Sequence, residues 1–223
     1  MSTVAEPQGG LRERKKRATC NAIERAGVAL ALEKGHANVT VADICERAEV
    51  SRSTFFNYMP SREAAIFGRP IPLADAPLVE LVLERSGDVP MTTALLRVLF
   101  ASVGHSWVHP EVSAWRLRLG REQPETETLI AGPVTALLNE LAGFLSDWFA
   151  RHPDRRGLPS VDAEREAGYL AVLTGAALRS ALHDVAGTED TVLPEPAFEA
   201  AVAEIATLAA ACGPGIREER HDR

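Results

Sequence analysis

The chain has 223 residues, of which 46% are hydrophobic and 25% charged, with a formal net charge of −7. That is an ordinary globular composition, with room for one large domain or two small ones. It contains no run of 18 consecutive apolar residues, so no membrane span is expected, and the acidic balance argues at first against a nucleic-acid protein.

Residues 1–10, MSTVAEPQGG, lack the apolar stretch of a secretory signal and are expected to form a flexible tail. A first helix is predicted over 11–34, where Ala22, Ile23, Ala26, Ala29, Leu30 and Leu32 recur near helical spacing and Gly35 supplies the stop. Thr40 opens a second helix with Asp43 three positions on, a relative of the capping box. Ser51 caps a third, and Pro60-Ser61 ends it and starts a fourth at Arg62. Apolar positions such as Val41, Ile44, Val50, Phe55 and Met59 can close a small core among these segments.

Pro70, Pro72 and Pro77 mark a boundary, which divides the chain into a domain over 11–69 and another over 75–212, with a tail at 213–223. In the second domain, helices are expected at about 75–86, 91–107, 111–122, 125–152, 161–186 and 196–212. Gly132-Pro133 should kink or split the longest of them.

Val41 to Glu63, VADICERAEVSRSTFFNYMPSRE, carries the functional information. It spells two short helices joined by a tight turn, the unit that places its second helix in the DNA major groove. The charge distribution agrees: residues 1–68 sum to +2 and residues 69–223 to −9, a basic end on an acidic body. Phe55 and Met59, four apart, point to the core and leave Arg52, Ser53, Phe56 and Asn57 outward. Arg52 suits a guanine edge, Asn57 an adenine or a phosphate, and Phe56 a thymine methyl or a sugar edge. Thr40, Thr54, Tyr58 and Arg62 are expected at phosphates, Ser51 at the DNA-facing start of the third helix, and the basic run Arg12, Arg14, Lys15, Lys16 and Arg17 along the flanking backbone.

Residues 11–68 resemble the DNA-binding domain of the TetR family of bacterial transcriptional regulators. The likeness rests on RERKKRATCNAIERA at 12–26, on Thr40-Val41-Ala42-Asp43-Ile44, on Ala48-Glu49-Val50-Ser51, and on Thr54 through Ala64. It implies an all-α fold: a homeodomain-like helix-turn-helix domain of three helices, followed by a larger helical domain for ligand binding and dimerisation. It also implies a homodimer, released from its operator by a small molecule; the widely spaced cysteines suit reduced thiols in a cytoplasm. Three positions depart from the family pattern. Glu49 stands where glycine is common, in a turn whose left-handed backbone costs another residue about 1–2 kcal/mol. Met59 stands for phenylalanine and Arg62 for lysine.

Two stripes in the second domain suit a twofold pairing surface: Leu170, Thr174, Leu178 and Leu182, and Val202, Ile205 and Leu208. The alternative is that both pack within one subunit. A dimer would read two half-sites about one DNA turn apart, on a roughly palindromic operator. Phe100, His105, Trp107, Trp115, Phe144 and Trp148 are aromatic candidates for a ligand pocket.

No cofactor is expected. His105 and His109 are four apart, but Pro110 follows at once and no third ligand is evident; the three cysteines, Cys20, Cys45 and Cys212, have no metal spacing. No phosphate loop, dinucleotide fingerprint or nucleophile elbow occurs, so an all-α enzyme is the weaker alternative. A helical interaction module without DNA binding is the other.

Overall fold

In a computed structural model, described over residues 11–103, 110–184 and 195–212, the chain is built from α-helices joined by turns and short 3-10 segments, and no strand occurs among the described residues. The first four helices are α1 (Leu11–Lys34), α2 (Val41–Arg47), α3 (Arg52–Tyr58) and α4 (Arg62–Phe67). They are followed by α5 (Ala76–Arg85), α6 (Met91–Val103), α7 (Pro110–Glu122), α8 (Glu127–Arg151), α9 (Ala163–Asp184) and α10 (Glu195–Cys212).

Local chemistry sets the boundaries of the short helices. Thr40 caps α2 in a reciprocal box: its hydroxyl accepts the Asp43 N–H at 3.1 Å, and its own N–H donates to Asp43 Oδ2 at 2.7 Å. Ser51 caps α3 by accepting the Thr54 N–H at 3.0 Å, and Ser61 caps α4 by accepting that of Ala64 at 3.1 Å. Gly35 (φ 81°) and Gly68 (φ 118°) end α1 and α4 in backbone that L side chains avoid. Where α1 crosses α4, a Cβ on Gly27 would lie 3.1 Å from the Ala65 carbonyl oxygen, so a glycine there lets the two helices touch.

Three apolar cores hold the molecule. The first joins α1 to α4 through Ile23, Ile44, Phe55, Met59 and Ile66, all fully buried. Each such side chain contributes about 1.5–3 kcal/mol relative to exposure. The second core lies among α5, α6, α8 and α9, around Leu83, Leu95, Leu141, Leu145, Trp148 and Phe149; the third ties α10 to α6 and α9 through Leu96, Ala177, Ala181, Phe198 and Ala201.

Pro133 does not split α8, which runs as one helix, Glu127–Arg151. The missing N–H leaves the carbonyl of Leu129 unanswered, but Leu129 is in the first turn and exposed, and the buried stripe Leu137, Leu141, Leu145 and Trp148 holds the rest of the helix. By length and composition α8 is also apolar enough to cross a bilayer, although this stripe is spent on the bundle core.

Packing contacts also cross the segment of Pro70, Pro72 and Pro77. Leu119 of α7 is fully buried in the first core, with Ile130 of α8 packed beside it. α7 runs along α1 in the same direction, its contacts advancing from Glu24 with Arg116 to Ala31 with Gln123.

Candidate nucleic-acid interface

The turn before α3 closes with Glu49 at φ 53°, the left-handed conformation, and the Val50 N–H donates to the Cys45 carbonyl at 3.0 Å. This aims α3 so that Phe55, and Met59 just beyond the helix, are fully buried, while Arg52, Ser53, Phe56 and Asn57 stand exposed together on the opposite side. Phe56 is 48% exposed, with its ring edge-on to Phe55 at 5.2 Å. The Arg52 guanidinium lies over the Phe56 ring, 5.6 Å from its centroid. Ser51 is exposed but locally engaged, its hydroxyl 2.9 Å from Ser53 Oγ and 2.8 Å from Thr54 Oγ1. Thr54 is half-buried, and Tyr58 is half-buried against the first core. Lys15 and Lys16 are exposed on α1 and Arg17 is half-buried; the side chain of Arg14 lies outside the described residues.

Two expected phosphate contacts are engaged inside the domain. Besides closing its capping box, the Thr40 hydroxyl donates to Asp43 Oδ2 at 2.7 Å, and Lys34 Nζ meets that same oxygen at 2.8 Å. The N-terminus of α2 thus already holds a carboxylate, and the Lys34 and Thr40 hydrogen bonds draw Asp43 down to a pKa of about 2. Arg62 donates to the Val39 carbonyl at 2.9 Å and pairs with Glu63 at 2.8 Å, which fastens the start of α4 to the loop after α1. The sequence showed the charge of Arg62 but not the Val39 carbonyl, which comes from a loop 23 residues away.

Behind the reading face, α7 braces the domain. Arg116 donates to the Ile66 carbonyl at 3.0 Å and to Glu24 at 3.1 Å, and Arg69 reaches the other oxygen of Glu24 at 3.2 Å. Burial pushes the Arg116 guanidinium below its ordinary pKa, and Glu24 opposes that shift. At the far end, Gln123 donates to the Ala31 carbonyl at 2.8 Å and accepts the His36 N–H at 3.1 Å. Sequence reasoning missed this set, since nothing local to any of its members signals it.

The aromatic candidates of the second domain are dispersed. Phe100 is half-buried against the third core, and Phe144 is half-buried against the second. Trp148 is buried there, stacked on His152 at 4.5 Å. Trp115 lies on α7 with Arg25 of α1 over its ring at 5.9 Å. His105 and Trp107 lie outside the described residues. None of the four described aromatics lines the groove of about 570 Å³ between α8 and α9, whose walls include Glu127, Thr135, Asn139 and Arg179.

The pairing stripes turn largely inward. Thr174 is fully buried, and Leu170, Leu178, Leu182, Val202 and Ile205 are partly buried against the cores of their own subunit. Large apolar side chains left bare on these helices are Tyr169 (55% exposed), Val172 (73%) and Leu208 (63%).

Residues 23–65 match the sequence profile of a family described as bacterial regulatory proteins, tetR family. That segment of the chain is similar to the tetR family. The matched residues run from α1 into α4, so they contain the whole helix-turn-helix. The HTH-type transcriptional regulator TcmR of Streptomyces glaucescens is 34% identical over 91 residues, which is 40% of this chain and 40% of that protein, so the likeness spans well under two thirds of either. Among solved structures the chain aligns with Salmonella enterica GusR at 19% identity and a TM-score of 0.37, over 95% of this chain and 100% of that one. The likeness runs through the first four helices, the exposed α3 among them.

Proposed function

We propose that this chain is a DNA-binding transcriptional regulator without enzymatic activity, working as a cytoplasmic homodimer on a roughly palindromic operator. The observation that carries the reading is α3 itself: a short capped helix with Phe55 buried behind it and Arg52, Ser53, Phe56 and Asn57 presented together in front. Lys15, Lys16 and Arg17 add the sequence-independent grip on phosphate, and the acidic remainder stays off the duplex. Thr40 and Arg62 act here by holding α2 and α4 in place rather than by touching DNA.

One recognition helix of seven residues offers few base contacts, so two subunits act together. Tyr169, Val172 and Leu208 give α9 and α10 an outward apolar surface that a twin copy would cover. A small-molecule effector bound in the second domain releases the DNA by shifting α7, to which α1 and α4 are fastened, and so repression is relieved. Effector and operator then oppose each other by the same factor in both directions.

A gel-shift titration of the full chain against the promoters flanking its own gene tests the proposal. Specific retardation is expected at one of them, with affinity falling steeply as salt rises. Equal affinity for every fragment at low salt would refute it.

A further inference from the structure

Several cations of the first domain are engaged. Arg25, Lys34, Arg47, Arg62 and Arg69 each pair with a carboxylate. Arg52 differs: among the described residues no hydrogen bond or ion pair engages its guanidinium, and what it touches is the face of Phe56. Phe56 is itself anomalous, an aromatic ring nearly half exposed on a helix face otherwise made of serine, asparagine and arginine. The edge-on contact with Phe55 steadies the ring from behind. A free guanidinium fork and an apolar ring edge are therefore offered side by side as one unit.

We propose that Arg52 and Phe56 read a single two-base-pair element, a guanine next to a thymine, rather than two independent bases. The inference rests on the DNA-binding reading above and deepens it by naming the step that is read. The fork suits guanine O6 and N7, and the ring edge suits the C5-methyl of thymine. The guanidinium centre lies 5.6 Å from the ring centroid, less than two base-pair rises of ~3.4 Å, so both targets are reached without breaking the stack when they are neighbours. Stacking on the ring also lowers the cost of removing water from the guanidinium as it meets the base. The two contacts are consequently coupled: losing either weakens the other.

The test uses the full chain and a pool of duplexes with randomised centres, followed by anisotropy titrations of the enriched duplex. Each half-site is expected to contain adjacent thymine and guanine. Replacing that thymine by deoxyuridine removes only a methyl and should weaken binding about fourfold. Replacing the guanine by 7-deazaguanine removes N7 and should weaken it by about tenfold. Phe56→Ala should become indifferent to deoxyuridine, and Arg52→Ala should lose the guanine preference together with most of the methyl effect. Because the changes on the DNA side leave the protein untouched, the outcome does not depend on how either variant folds. Enrichment of a duplex whose guanine and thymine preferences are separated, or which is indifferent to deoxyuridine, overturns this inference alone. A chain that enriches no duplex overturns it together with the DNA-binding reading.

Discussion

Replacing Glu24 by glutamine tests the join between the first domain and α7. The Glu24 side chain is 6% exposed and faces two guanidiniums, Arg116 at 3.1 Å and Arg69 at 3.2 Å, which are 15% and 25% exposed. With its charge removed, Arg116 remains buried without a carboxylate and with Arg69 as a like-charged neighbour. Stripping one partner from a buried pair costs about 3–5 kcal/mol. Arg116→Met is the milder change, because Glu24 keeps Arg69 and the chief loss is the donor to the Ala65 and Ile66 carbonyls, about 1–3 kcal/mol. The double variant Glu24→Gln with Arg116→Met removes both charges of the buried pair and should cost less than the two single changes together. The coupling expected for groups in direct contact is about 0.5–3 kcal/mol. Urea unfolding followed by helical circular dichroism reads all three proteins. For slopes of about 1–3 kcal/mol/M, Glu24→Gln should lower the midpoint by about 1 M or more. A loss below about 1 kcal/mol in Glu24→Gln, or strict additivity in the double variant, would refute the claim that this ion pair joins the domains.

Three further outcomes follow from the same geometry. The Asp43 carboxyl is held at about 2, below its ordinary 3.8, so its contribution to the start of α2 is fully present above about pH 4 and is lost as pH falls through 2; Asp43→Asn should abolish that part of the acid transition in a circular dichroism titration. Glu49→Gly should raise the melting temperature, because it relieves about 1–2 kcal/mol of left-handed strain against the ~0.5–1 kcal/mol that glycine costs in chain entropy; a lower melting temperature would show that the turn carries no such strain. Val172→Glu should convert a sedimenting dimer to a monomer with unchanged helicity, and an unchanged sedimentation coefficient would remove α9 from the pairing surface.

What was legible in the sequence was local. The Thr40–Asp43 box, the Ser51 cap, the glycine stop at Gly35 and the burial of Phe55 and Met59 are each decided within one turn of helix, and each is found where expected. The left-handed turn at Glu49 was legible for the same reason. The helices of the second domain fall within a few residues of their expected bounds wherever they are described, since apolar periodicity marks a helix without regard to its neighbours. What escaped depends on partners distant in the chain. Leu170, Thr174, Leu178 and Leu182 do form one stripe, but periodicity reports that a face is apolar and not whether its own subunit or another covers it. Arg62 shows the same limit: its charge is evident in the sequence, and the carbonyls that absorb it are not.

The prolines at 70, 72 and 77 illustrate the point at the scale of domains. They interrupt helix, and a break in helix says nothing of what packs across it. Yet α7 lies beyond them and contributes a fully buried leucine to the first core, a guanidinium to the end of α4 and an amide to the end of α1. Those three attachments are spread from Arg116 to Gln123, about 10 Å along the helix, so α7 has little freedom to rock against α1. The attachments continue through the 3-10 turn Pro124–Thr126 to the start of α8, where Ile130 packs on the first core and Pro133 meets Gly68 at the end of α4 with 3.5 Å between the proline ring and the position a Cβ would take. An effector that displaces the start of α8 would therefore press on α7 and α4 together. A body that includes α3 would turn as one piece, its own core intact, and the separation of the two reading helices in a dimer would change without any helix unfolding.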